Sequence, residues 1–329
     1  MIEKGKNTNS LMRHIRSEHK IKIWGSSDKK ELLKMGYFHG YKAYRFNKDE
    51  QHKFSLDNFQ EIKYIYQFDN ELKSLFYSPI MQLETMLKNY TISVIVSEGP
   101  TDFESIYKNQ LTRYNEVDEN KSPQKNKKDA KKRLKSRLEL KGKFDDAIAR
   151  NYGDEKVHHY LSNGKSLPIW AIFELISFGE FGTFLLCLNT KTRLEIQEKI
   201  GTCDKAADTK GALLPNHVFT LKDLRNAVAH NHIVFDCRFR DNDVGKNLKS
   251  QLEKNTGVQN ITFDSIIDYL VLIIYYQSSL KITKTEMSSL VRKFNALVKQ
   301  LQDHVSQSVF DSILGSDIFV KIDQLNKFI

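Results

Sequence analysis

Leu221-Lys222-Asp223-Leu224-Arg225-Asn226-Ala227-Val228-Ala229-His230-Asn231-His232 is the stretch around which the rest of this chain is organised. Leu224, Ala227 and Val228 fall three and four apart, the spacing of one side of an α-helix. Thr220 and Asp223 stand in the Ser/Thr-x-x-Asp/Glu capping relation, which predicts a helix start at Thr220. Asn226 and His230 then lie one turn apart on one face. Arg225 and His232, seven apart, also share a face. Arg225 and His230, five apart, meet only if the long arginine leans across. Alone, such an R-x4-H is a common pattern, and a solvated helix face is its ordinary meaning.

The surroundings read as helical too. Glycine and proline number only 15 and 5 in 329 residues, which favours long helices over tight turns and predicts an all-α helical bundle. The formal net charge of +10 suits a polyanionic partner, nucleic acid or an anionic surface. No run of 18 apolar residues occurs, so no membrane span is expected. The N-terminal Met1-Ile2-Glu3-Lys4-Gly5-Lys6 lacks the apolar core of a secretory signal. Cys187, Cys203 and Cys237 are an odd number at unrelated spacings, fitting neither a disulfide framework nor a zinc site. A reducing cytoplasm is the expected location. His158-His159 reads as a surface pair more than a ligand pair, so no metal or other cofactor is expected.

Along the chain, residues 1–30 are polar and basic, a solvated leader or a phosphate contact, and Asp28 is expected to cap a helix over Lys29–Lys34. Gly36 and Gly40 bracket Tyr37, Phe38, Tyr41, Tyr44 and Phe46, which reads as a packing corner more than a base-stacking surface. A helical period runs from Leu56 to Leu87, with Pro79 expected to kink or split it. Asp69, Glu71, Lys73, Glu84 and Lys88 read as surface charges off that stripe. Ile92–Val96 is β-branched, either strand-like or the end of the helix. Between Lys121 and Lys143 there are eleven Lys/Arg and two acids, a block that forms an exposed loop or a basic helix. Lys125, Lys127, Lys128, Lys131, Lys132, Arg133, Lys135 and Arg137 are its candidate RNA-binding residues, because cations that neutralise phosphates release counterions. The segment divides the chain into an N-terminal helical region (1–116), a basic arm (117–145) and a C-terminal helical domain (146–329).

Pro168 predicts the start of one apolar helix from Ile169 to about Leu188. Glu174 and Ser177 are its polar exceptions, and Glu174 either pairs with an arginine of the Leu221–His232 helix or reaches solvent. Ile261–Leu280 is apolar almost all round and reads as a core helix. Met287 to Val305 carries the cleanest amphipathic stripe, fit for the bundle or for a dimer interface.

Three segments carry a resemblance. R-N-A-V-A-H-N at 225–231, followed by I-V-F-D-C-R-F, is similar to the HEPN ribonuclease signature of the Abi (abortive infection) family of bacterial phage-defence proteins. AbiF/AbiD-like members typically read R-N-x-x-A-H-H/N. The segments Leu32–Tyr41 and Leu167–Gly179 resemble the same family, in the right order. The resemblance implies a HEPN-like C-terminal half. It also implies a metal-independent endoribonuclease, a toxin of phage defence, that uses the RNA 2′-OH as nucleophile and leaves a 2′,3′-cyclic phosphate. Arg225, Asn226 and His230 would be its catalytic residues, with Glu174, Asn231 and His232 in support. One motif copy per chain implies a homodimer. Asn231 stands where the H-H form has its second histidine, which leaves open whether His230 or His232 is essential. The alternative is a non-catalytic module of the same type that binds a structured RNA or a partner protein.

Overall fold

The computed structural model describes residues 5–97, 99–206, 208–240 and 242–329. The protein is all-α: fifteen α-helices and no strand occur among the described residues, with only isolated β-bridges such as Lys22 with Asn58.

Two short helices open the chain, α1 (Thr8–Glu18) and α2 (Gly25–Met35). Helix α1 buries Met12 and Ile15, so this part of the N-terminal segment is packed, not a free leader. Helix α2 starts before the expected Lys29. Asp28 lies inside its first turn and accepts the N–H of the N-cap residue Trp24 at 2.9 Å, so the cap works backwards from within the helix. A π-helical turn, Gly36–Lys42, follows. Here Gly40 is forced: a Cβ on it would lie 2.4 Å from the Met35 carbonyl oxygen. That approach lets Tyr41 and Tyr44 sink to full burial, the packing role expected of the aromatic cluster, whereas Phe38 stays 75% exposed.

Helix α3 (Phe59–Ile95) is the spine, 37 residues long and opened by a capping box between Asn58 and Glu61. Pro79 lies inside it without splitting it, and Ile92–Ile95 finish it as helix. Then come α4 (Phe103–Asn109), α5 (Pro123–Arg150), α6 (Glu155–Ser162), α7 (Ile169–Leu175), α8 (Phe178–Cys187) and α9 (Thr190–Ile200). After them stand α10 (Leu213–Ala229), α11 (Lys246–Thr256), α12 (Ile266–Ser279), α13 (Lys284–Gln302), α14 (Gln307–Leu314) and α15 (Ile318–Phe328). Helix α3 touches α9, α10, α12 and α13, and one cluster of buried apolar residues runs from Met12 to Leu325.

The basic block takes the helical of its two open forms. Ser122 caps α5, Pro123 occupies its first turn, and Leu140, Phe144 and Ala147 anchor its later half against α7 and α8. The single apolar helix expected from Ile169 to Leu188 is instead two, α7 and α8. Ile176 turns extended, and Ser177 starts α8 in a capping box with Glu180, so the polar exceptions mark a break. Helix α12 is buried from Ile266 to Gln277. Its Asp268 accepts the N–H groups of Thr262 and Phe263 at 2.9 and 2.8 Å and the Lys321 ammonium at 2.8 Å. A buried carboxylate with that many donors is satisfied. The stripe of α13 packs on α3, α12 and α15. Among the described residues no helix is long and apolar enough to cross a membrane.

Two histidines make stability pH-dependent. Burial pushes the His217 imidazole, bonded to Tyr276 Oη at 2.9 Å, down to about 3. Burial, and after it the charge of Arg45, pushes His19 down to about 4. Below the ordinary value of about 6.5 the unfolded chain gains protons that the folded chain refuses. The stability these groups contribute is therefore complete above about pH 6.5 and is lost as pH falls toward 4. The melting temperature should drop between about pH 7.5 and pH 5, and by less in His217→Gln than in the wild type. Gly40→Ala should cost about 1–3 kcal/mol of unfolding free energy in denaturant melts, since the Met35 carbonyl must move.

Candidate functional site

The helix carrying the motif, α10, begins at Leu213, not at Thr220. Asp208 caps it, accepting the N–H groups of Ala212 and Leu213 at 2.7 and 2.8 Å, and Pro215 sits in the first turn, where a missing donor costs little. Thr220 is mid-helix, its hydroxyl donating to the Asn216 carbonyl at 3.0 Å, and Asp223 pairs with Lys222. The Thr220/Asp223 spacing is thus not a cap.

The C-terminal end explains much of the motif's wording. His230 is the C-cap residue, and Asn231 follows in the left-handed region with φ of +55°. The His232 N–H reaches back to the Ala227 carbonyl at 2.8 Å and the Asn231 N–H to Val228 at 3.4 Å. This is the Schellman arrangement, and Asn is the side-chain-bearing residue that best tolerates its left-handed position. Ala-His-Asn-His therefore ends a helix while leaving both imidazoles exposed, their ring centroids 6.1 Å apart.

Helix α3 grips this end. The Lys73 ammonium donates to Asn231 Oδ1 at 2.6 Å and lies 3.1 Å from Asp69. Asp69, wholly buried, accepts the N–H groups of Val234 and Phe235 at 2.7 and 2.8 Å and the Tyr44 hydroxyl at 2.6 Å. Four turns along α3 a second pair holds the arginine. Arg225 Nε donates to Glu84 at 3.0 Å, Glu84 also meets Lys88 at 3.0 Å, and Lys88 donates to the Ile176 carbonyl at 3.0 Å. Asp69, Lys73 and Glu84 are thus buried and not surface charges as expected. Their position could have been read from the sequence: Asp69 falls four after Ile65 and three before Leu72, inside the apolar stripe.

Arg225 is partly exposed and faces a cleft of about 260 Å³ lined also by Glu84, Lys88, Glu174 and Met81. Glu174 shares this cleft, is exposed, and leaves the ion pair with Arg225 to Glu84. His230 and His232 are not in the cleft. His230 stands about 7.5 Å further along the helix axis than Arg225 and does not line the cleft that Arg225 faces. Asn226 is half-buried between them, its carbonyl accepting the His230 N–H at 2.9 Å.

The eight basic candidates of α5 divide. Lys125, Lys127, Lys128, Lys131, Lys132 and Lys135 are exposed, on one side of the helix. Arg133 and Arg137 turn inward to backbone carbonyls of Glu116 and Tyr107 at 3.0 and 2.8 Å. Among the described residues no group of three or more His, Cys, Asp or Glu could hold a metal ion, and His158 packs edge-on against Tyr152.

The family model described as Abi-like protein (Abi_2) matches residues 30–236, which takes in the second half of α2, the whole of α3 to α10 and both ion pairs of α3. That is more than half of the chain, and the chain belongs to this family of abortive-infection, phage-defence proteins. No curated protein and no solved structure matches it.

If Asn231 serves mainly to take the left-handed turn, Asn231→Gly should melt near the wild-type temperature. Asn231→Val should be less stable than Asn231→Gly by roughly 1–3 kcal/mol in denaturant titrations.

Proposed function

We propose that this Abi-like protein is an RNA-binding protein of phage defence that cuts RNA as a metal-independent HEPN-type endoribonuclease, acting in the cytoplasm as a toxin. The observation that carries this reading is how Arg225 is held. Glu84 takes its Nε, so the terminal fork of the guanidinium remains for the cleft, where it can accept a phosphate. At the end of the same helix stand two exposed imidazoles on a backbone fixed by Lys73 and Asp69.

The chemistry needs little more. The 2′-OH of RNA attacks the adjacent phosphorus and gives its proton to one imidazole. The P–O5′ bond breaks, and a second, protonated imidazole supplies the proton to the leaving 5′ oxygen. The products are a 2′,3′-cyclic phosphate and a 5′-hydroxyl end. Arg225 balances the charge that grows on the non-bridging oxygens. Asn226 orients the phosphate or the imidazole. Because Arg225 and His230 do not meet within one chain, the reading includes a homodimer that brings two sets together. The six exposed lysines of α5 then hold the RNA backbone.

The Arg225–Glu84 ion pair at 3.0 Å also favours a second reading, in which the motif only holds a structured RNA or a partner. Cellular RNA incubated with the full chain in chelator separates the two. Under the nuclease reading, wild-type protein yields cyclic-phosphate ends, and Arg225→Ala and His230→Ala cut at least about 100-fold more slowly while still binding RNA. Cleavage by His230→Ala at the wild-type rate would shift the role to His232. Cleavage unchanged in both His230→Ala and His232→Ala, or no cleavage by the wild type, would overturn it. Lys128→Ala and Lys131→Ala should each lower the slope of log affinity against log salt by about 1, equally for unrelated RNA sequences.

A further inference from the structure

A second concave site shares no residue with the Arg225 cleft. It lies between α5, the Arg113–Asn115 turn and the end of α8, and encloses about 240 Å³. Leu111, Leu186 and Cys187 make it apolar on one side, and the Tyr114 ring lines it too. Arg113, Arg133, Arg137 and Lys132 also line it, and no carboxylate does.

The three guanidinium groups are held in place by neutral acceptors. Arg113 donates to the Leu186 carbonyl at 3.1 Å, Arg133 to those of Arg113 and Glu116 at 3.3 and 3.0 Å, and Arg137 to that of Tyr107 at 2.8 Å. These bonds fix position, and their neutral acceptors do not themselves cancel the charge. Glu116, the acid of this turn, is engaged by the Thr190 N–H and hydroxyl and lies 3.9 Å from Arg193. Arg137 stacks over Tyr107 and Tyr114 at 3.6 and 4.9 Å, and its Nε is buried with no hydrogen-bond partner. Burial first, and after it the charge of Arg133, pulls Arg113 below its ordinary range, while Glu116 and Asp208 act the other way. Each guanidinium carries five donors, far more than these carbonyls use.

The geometry points to a binding site for one phosphorylated nucleotide, its phosphate against Arg133, Arg137 and Lys132 and its base against Tyr114 and the apolar wall. The cations call for an anion of several oxygens. The aromatic and aliphatic wall calls for a planar, apolar part beside it, which bare phosphate lacks. The volume sits just below the ~300–1,000 Å³ of small-molecule sites, enough for one nucleotide and not for a length of strand. The nucleotide is either free or the 5′-terminal residue of an RNA. The second source has a path, since Lys132 belongs both to the rim and to the exposed lysine side of α5. This inference stands apart from the cleavage reading and survives its failure.

Calorimetry on the full chain tests it, with each of the four nucleoside 5′-monophosphates, adenosine, and one short oligoribonucleotide bearing either a 5′-phosphate or a 5′-hydroxyl. At least one monophosphate or the 5′-phosphorylated strand should bind, and adenosine or the 5′-hydroxyl strand at least about tenfold more weakly. Preference for the phosphorylated strand over every monophosphate assigns the RNA end; the reverse assigns the free nucleotide. Ser136→Trp, which fills the site, and Lys132→Glu, at an exposed rim position, should each weaken binding by about tenfold or more. Lys284→Glu, at an exposed position on α13, should change monophosphate binding by less than about twofold. Should Ser136→Trp not fold, Lys132→Glu alone decides. No binding of any phosphorylated probe, or binding as tight in Lys132→Glu as in the wild type, would overturn the assignment.

Discussion

One buried carboxylate ties the molecule together. Asp69 on the spine helix draws in two backbone amides from the segment after the motif helix, a phenol from the aromatic N-terminal corner, and the ammonium one turn along its own helix. Three parts of the chain far apart in sequence meet at its two oxygens. An ionised group removed from water is tolerable only when its lone pairs are filled in this way. Losing one partner of such a group costs about 3–5 kcal/mol, a large share of the ~5–15 kcal/mol by which a domain is stable. The same helix face carries Glu84, which restrains Arg225. The motif is therefore positioned by acids and bases of α3 as much as by its own helix.

This sorts the cations of a strongly basic chain into roles. Lys73, Lys88 and Lys321 neutralise buried acids and are part of the packing. Arg113, Arg133 and Arg137 hold backbone carbonyls and line one concavity that no carboxylate lines. Lys125, Lys127, Lys128, Lys131 and Lys132 are exposed together on one side of α5, a helix whose other side is anchored by Leu140 and Phe144, and can meet a polyanion. Net charge identifies none of these assignments, because burial and local partners decide what each cation does.

The all-α class was legible from scarce glycine and proline, and the long apolar period of α3 from its spacing. The packing role of Tyr41 and Tyr44 followed from the glycines beside them. The motif was legible as a cluster of residue types, and Asn231 as the residue that ends its helix only once the left-handed turn was seen. Errors arose where a local rule met a stronger partner. Thr220 looked like a cap until Asp208, twelve residues earlier, took that task. The apolar run after Pro168 looked continuous because hydrophobicity does not reveal a break, whereas the Ser177/Glu180 box does. The acids of α3 looked like surface charges because charge was weighed above position. Their partners, Val234, Phe235 and Arg225, lie 141 to 166 residues away, a pairing no single-chain periodicity can show.

Helix α3 fixes the end of the motif helix through Asp69. Native-state hydrogen exchange of the Val234 and Phe235 amides, in wild type and in Asp69→Ala, measures this directly. Strong protection is expected in the wild type, and in the variant exchange accelerated by at least about tenfold at these two amides while those of α13 keep theirs. Equal protection of Val234 and Phe235 in the two proteins would contradict it.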